Sequence, residues 1–261
     1  MSATSSILIH GTPVPILGAP GVDPSLALAF KPFTAWASSL DPRFSVASIA
    51  LQSVDMFGPR VGFLKFVATA TFAGKPVPGV VFLRGGAVAV LPVLRCGGER
   101  WVVCCRQPRL AVGRHYLEIP AGMLDGSGAF AGVAAKELKE ETGIEITEAE
   151  LTDLTALAYG GSGGGGSAGG GAPEGEPNAQ GMYPSVGACD EFLRLMYWAK
   201  DVEPSYLREL QGRVAGNEEE NEVITIELVK FEELWRRCSD GKSLSAMILL
   251  ERLAAEGHVA L

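Results

Sequence analysis

Several side-chain types are scarce in this sequence, and each scarcity removes a class of chemistry. Three histidines, His10, His115 and His258, are scattered over 261 residues, which leaves little for a histidine-based zinc site or a serine–histidine triad. Five cysteines (Cys96, Cys104, Cys105, Cys189 and Cys238) form no C-x-x-C pair and leave an odd count. Neither a disulfide framework nor a zinc site is indicated, and the compartment reads as reducing. No apolar run reaches the ~18 residues of a membrane-spanning helix, so no membrane partner is expected. Cations are also few: 22 Lys and Arg against 30 Asp and Glu give a net charge of −8, with no basic cluster to follow a nucleic-acid backbone. Arg43 is the first arginine, so the start lacks transit-peptide character and reads as a mature end; Pro13, Pro15 and Pro20 interrupt any secretory apolar region.

What remains is a globular composition, 47% hydrophobic and 20% charged, long enough for one large domain or two small ones. Leu26, Phe30, Phe33 and Trp36 recur at helical intervals, limited by Pro32. From Ser45 to Phe72 the pattern turns to strands parted by Gly58 and Pro59. VPGVVFLRGGAVAVLPVLRC and ERWVVCCRQPR read as two buried strands joined at Gly97-Gly98, and RHYLEIPAGML leads on to a helix. LTDLTALAYG reads as a strand, and residues 160–181 as a mobile glycine-rich insertion, within which the stretch 163–175 offers no ligand other than Glu174. DEFLRLMYWAK and VITIELVKF read as strands, FEELWRRC as a helix, and SLSAMILLERLAAEG as a helix with a stripe of Leu244, Met247, Ile248, Glu251 and Leu253.

The chemistry gathers in residues 122–144, GMLDGSGAFAGVAAKELKEETGI. A helix over residues 129–142, stopped by Gly143, places Glu137, Glu140 and Glu141 on one face of its last turns. A helix C-terminus carries partial negative charge, and carboxylates at i, i+4 repel one another; Lys136 and Lys139 offset this only in part. A divalent cation relieves the repulsion, and ligands made only of carboxylate oxygen select hard Mg²⁺ or Mn²⁺. Without such an ion, a KELKEE run reads as a solvated helix face.

The stretch resembles the box of the Nudix hydrolases, G-x5-E-x7-R-E-U-x-E-E-x-G-U, with U aliphatic. Gly122, Glu137, Leu138, Glu140, Glu141, Gly143 and Ile144 match in register, while Gly128 stands for the first glutamate and Lys136 for the arginine. Within that family VDMFGPRVGFLKF, LEIPAGMLD, YPSVGACDE and ELWRR are similar to the ADP-ribose pyrophosphatase branch, and to its plant and algal plastid ADP-sugar diphosphatases. The resemblance implies metal ligands at Glu137, Glu140, Glu141 and the Ala121 carbonyl, and a further catalytic glutamate, base or ligand, at Glu191, with Asp190 the second choice. It also implies substrate contacts from Arg84, Arg109 and Glu118. For adenine it implies aromatic contacts, for which Phe57, Phe63 and Phe66 qualify.

The expected fold is α+β: a mixed β-sheet sandwiched between helices as in Nudix proteins, with a small amino-terminal β domain. Residues 1–77 form an amino-terminal dimerisation region and residues 78–261 the hydrolase domain. The implied activity is Mg²⁺-dependent hydrolysis of nucleoside diphosphate sugars, ADP-glucose giving AMP and glucose 1-phosphate, by a homodimer in the chloroplast, with the cytoplasm the alternative. ADP-ribose as substrate, or a weakly catalytic nucleotide sensor, are the competing readings.

Overall fold

The structure is a computed structural model and describes residues 4–124, 129–160, 180–217 and 222–261. Gly128 and residues 161–179 of the glycine-rich insertion, Glu174 included, lie outside the described residues. The chain divides into two compact units, Met1–Gly86 with Ser185–Glu191, and Ala87–Pro184 with Phe192–Leu261.

The first unit holds strands β1 (Thr4–Ile9) and β2 (Thr12–Gly18), helices α1 (Ser25–Ala29) and α2 (Lys31–Ser39), then β3 (Phe44–Phe57), β4 (Arg60–Phe72), β5 (Lys75–Val77) and β6 (Val80–Leu83). Its sheet runs β1-β2-β3-β4-β5, with β6 also paired to β4. The long β3–β4 hairpin turns at Gly58, whose φ of +57° is a conformation only glycine adopts cheaply. Ile49, Leu51, Leu64 and Phe66 point inward from it and form a core with Phe33 of α2. The Phe33 and Trp36 rings lie 5.7 and 4.9 Å from the Phe66 ring, which fastens α2 to the sheet. Strands β1 and β2 were not anticipated, because Pro13 and Pro15 read as interruptions. Both prolines precede Ile16, where pairing with β3 begins, so β2 has a single neighbour at those positions and tolerates a missing N–H.

The second unit holds β7 (Ala87–Cys96), β8 (Glu99–Arg109), β9 (Arg114–Glu118), β10 (Ala121–Met123), α3 (Phe130–Thr142), β11 (Thr152–Asp153), α4 (Leu154–Tyr159), β12 (Leu193–Asp201), α5 (Pro204–Leu210), β13 (Val214–Ala215), β14 (Ile224–Lys230), α6 (Leu234–Arg237) and α7 (Gly241–Ala255). Its sheet runs β11-β12-β7-β8-β14-β13, with β10 on β7 and β9 on β8. Among the described residues of this sheet only β12 and β7 run parallel, so the sheet is mixed. Central β7 is buried on both faces. Ala87, Ala89, Leu91 and Val93 share a core with Ala246, Leu250 and Leu253 of α7, while Val88, Val90 and Leu94 share one with Ala134 and Leu138 of α3. The result is the expected α+β sandwich of a mixed sheet between helices.

Three local readings are corrected. LTDLTALAYG is a two-residue strand followed by helix α4: Asp153 accepts the Ala156 N–H at 2.7 Å as N-cap, and Gly160 stops the helix in the left-handed region. FEELWRRC is a 3₁₀ turn with only the short α6 behind it. The buried stripe of α7 is Ser243, Ala246, Leu250 and Leu253; Ile248 faces solvent, since the helix is rotated from the orientation its largest side chains suggested.

Candidate active site

Helix α3 ends at Gly143, with φ +66°, so its last two turns carry all three glutamates of the motif. They do not share one environment. Glu141 turns inward and is 2% exposed, and its Oε2 accepts the Ala121 N–H of β10 at 3.0 Å. The buried Cys105 thiol lies 3.7 Å from the same oxygen. Burial pushes the Glu141 carboxyl up to about 8; the Ala121 N–H works against that rise, and the charges of Glu137, Glu222 and Glu118 add to it. Glu137 rests against Gly122, where a β-carbon would fall 1.9 Å from its carboxyl carbon. Only glycine lets β10 and α3 approach this closely. Glu140 is drawn away into an ion pair with Lys136 at 3.3 Å.

Two crowded carboxylates, one of them buried with a raised proton affinity, are the donor chemistry a hard divalent cation suits. Among the described residues no three Asp, Glu, His or Cys side chains already stand as a metal cage. Glu137 and Glu141 could hold part of an oxygen set, while Glu140 Oε2 faces Lys136.

A second cluster lies in the same unit. Glu118, at the end of β9, accepts from Arg109 Nε at 2.6 Å with one oxygen and from Lys242 Nζ with the other. Burial favours protonation of Glu118, but Arg109 and Lys242 outweigh it and hold the carboxyl below the usual range. Burial likewise works against the Lys242 charge, yet Asp240 and Glu118 raise its proton affinity.

Arg84 and Glu191 belong to the first unit and pair with each other at 3.3 Å. Arg84 Nε is buried and makes no hydrogen bond among the described residues. Its guanidinium lies 5.8 Å from the centre of the Phe63 ring. Asp190 is committed to backbone, accepting the N–H groups of Arg84 at 2.8 Å and Gly85 at 3.1 Å. Of the three aromatic residues offered for adenine, Phe66 is corrected: it is 0% exposed, locked under α2. Phe57 is 43% exposed and edge-on to Phe63 at 4.9 Å.

Sequence reasoning missed Lys242, Cys105 and Arg213. Arg213 donates to the Thr142 carbonyl, placing a guanidinium on the C-terminus of α3 where its charge is favoured. One sign was legible: Lys242 lies just behind the helix start at Asp240, where a cation is disfavoured unless a carboxylate holds it.

A model of the NUDIX domain matches residues 83–247. The chain is 38% identical over 223 residues to Nudix hydrolase 14, chloroplastic, of Arabidopsis thaliana, covering 84% of this chain and 67% of the relative. It is 36% identical over 77 residues to an uncharacterized Nudix hydrolase of Schizosaccharomyces pombe, covering 30% of this chain and 36% of the relative. Among solved structures, an ADP compounds hydrolase superposes with a TM-score of 0.52 at 16% identity, covering 85% of this chain and all of that one. That likeness is one of fold.

Proposed function

Because the chain belongs to the Nudix family, we propose that it is a divalent-metal-dependent pyrophosphohydrolase of ADP-sugars, converting ADP-glucose to AMP and glucose 1-phosphate. The observation that carries this reading is the crowding of Glu137 and Glu141 against β10, with the Glu141 carboxyl raised to about 8. Such an arrangement is costly in an empty protein and is relieved by a cation.

Hydrolysis adds water across a P–O bond of the diphosphate. Mg²⁺ or Mn²⁺, when bound, supplies charge neutralisation on the phosphate oxygens and acidifies water. Glu137, Glu141 and the Ala121 carbonyl are the residues to hold it, with Glu140 for a second ion or a water-bridged contact. Arg109, held by Glu118 through Nε alone, has two η nitrogens to offer a phosphate. Glu191 is assigned the water proton or a further ligand role, and Arg84 a phosphate contact. Phe57 and Phe63 are assigned to adenine, by stacking.

Substrate choice follows the diphosphatases that the sequence resembles. AMP release from ADP-glucose, ADP-ribose and UDP-glucose, each with and without Mg²⁺, tests it; equal or better turnover of ADP-ribose moves the assignment to that sugar. The Glu140–Lys136 pair favours one alternative, a sensor that binds nucleotide without turnover. Tight ADP binding with no AMP release under any metal would establish that alternative.

Residues 1–77 are proposed to form a homodimer interface, because Leu8, Leu17 and Met56 of this region expose large apolar surface. A monomeric mass at micromolar concentration with full activity refutes this. Plastid location is proposed from the chloroplastic relative, and a fluorescent fusion imaged in plant cells checks it.

A further inference from the structure

The segment that carries Lys242 is tied to the end of β9 by more than one bond. Both oxygens of Glu118, which is 3% exposed, are occupied: Oε1 by Arg109 Nε at 2.6 Å and Oε2 by Lys242 Nζ. Lys242 also stands 3.2 Å from Asp240 Oδ1. The other oxygen of Asp240 accepts from the Ser243 backbone N–H at 3.0 Å and the Ser243 hydroxyl at 2.6 Å, and Ser243 Oγ accepts the Ile119 N–H at 3.1 Å. One residue before Glu118, the Leu117 carbonyl accepts from the Cys238 thiol at 3.1 Å. Residues 117–119 are therefore gripped one after another by residues 238–243.

At the other end of this chain of contacts Arg109 is open. Its side chain is 45% exposed, and its hydrogen bonding among the described residues is confined to Nε. A guanidinium bound on Nε by a fixed carboxylate has its plane set, and its η edge is left in a defined direction. If position 242 were neutral, Glu118 would keep a single partner for a buried charge. It would then protonate or turn away, and Arg109 would lose its fixed plane.

We propose that Lys242 is a positioning residue for nucleoside diphosphate binding: it holds Glu118 charged and immobile, and Glu118 in turn presents the η nitrogens of Arg109 to a substrate phosphate. This rests on the diphosphate reading given above. Lys242 touches no substrate, so its loss weakens binding and leaves the bond-breaking step nearly intact.

The test is a double-mutant cycle. Lys242→Met and Lys242→Arg are made alone and with Arg109→Ala; KM and kcat are measured for ADP-glucose with Mg²⁺, and Kd for ADP by calorimetry. Lys242→Met is expected to raise KM and the ADP Kd about tenfold, the worth of a charge-assisted bond. Expected alongside are kcat within about threefold and recovery by Lys242→Arg to a similar margin. In the Arg109→Ala background Lys242→Met should change nothing further. The same tenfold loss in both backgrounds would overturn the proposal, as would a fall in kcat with ADP binding unchanged. If Lys242→Met fails to fold, Lys242→Gln takes its place in the cycle with the same expectations. A wild type that binds ADP but releases no AMP defeats the hydrolase reading, while the ADP cycle still decides the role of Lys242.

Discussion

Replacing Glu141 by Gln separates what its charge does for catalysis from what it costs the fold. Glutamine keeps the shape and an oxygen to accept the Ala121 N–H, but it cannot ionise. The wild-type carboxyl is raised from 4.5 to about 8, chiefly by burial. Between those values the native metal-free protein binds more protons than the unfolded chain. Stability therefore falls as pH rises, by about 1.4 kcal/mol per pH unit, and below pH 4.5 the group contributes no difference. By pH 8 the loss approaches ~5 kcal/mol as an upper bound, because partial relaxation and water entry reduce it. Urea unfolding in EDTA from pH 4.5 to 8.5 should show this slope in the wild type and its disappearance in Glu141→Gln, which becomes the more stable protein at pH 8. Added Mg²⁺ should restore wild-type stability and leave the variant unchanged. Turnover of the folded variant should drop ~10³-fold, the loss of about 4 kcal/mol of charge stabilisation. Equal stability of the two proteins at pH 8, or near-normal Mg²⁺-dependent activity in the variant, refutes the reasoning.

Gly122→Ala places a methyl where the Glu137 carboxyl sits; far-ultraviolet circular dichroism should stay native while the Mg²⁺ concentration for half-maximal activity rises about tenfold, from displaced ligand geometry. Phe66→Ala should cost about 3–5 kcal/mol in denaturant unfolding, as a large side chain lost from a filled core. Phe57→Ala should stay within about 1 kcal/mol of the wild type and instead raise KM for ADP-glucose; the reverse pattern would exchange their roles. Arg213→Ala removes the cation from the end of α3 and should lower stability by about 1 kcal/mol at low salt, less at high salt, as read from thermal melts. Deleting residues 163–175 should change kcat/KM only modestly, since closure entropy varies slowly with loop length; complete loss of activity in a folded protein would make the insertion part of the site.

Where information was local, the sequence carried it. The spacing of Glu137, Glu140 and Glu141 and the glycine after Thr142 determined a helix with its carboxylates in the last turns, because helical periodicity and a left-handed stop need nothing beyond neighbouring residues. The alternation in β3 and β4 and the unbroken apolar run of β7 likewise determined strands and their degree of burial. The matching motif then determined the family. Only the tertiary structure decided how each carboxylate is used. Glu141 faces a strand 20 residues away in sequence, Glu140 turns to Lys136, and Glu118 meets Lys242 across 124 residues. Phe66 and Phe57 look alike as sequence, but one is under a helix and the other at the surface. Charge partners, burial and the resulting proton affinities depend on which distant elements the sheet brings together, and no periodicity in the chain encodes that pairing.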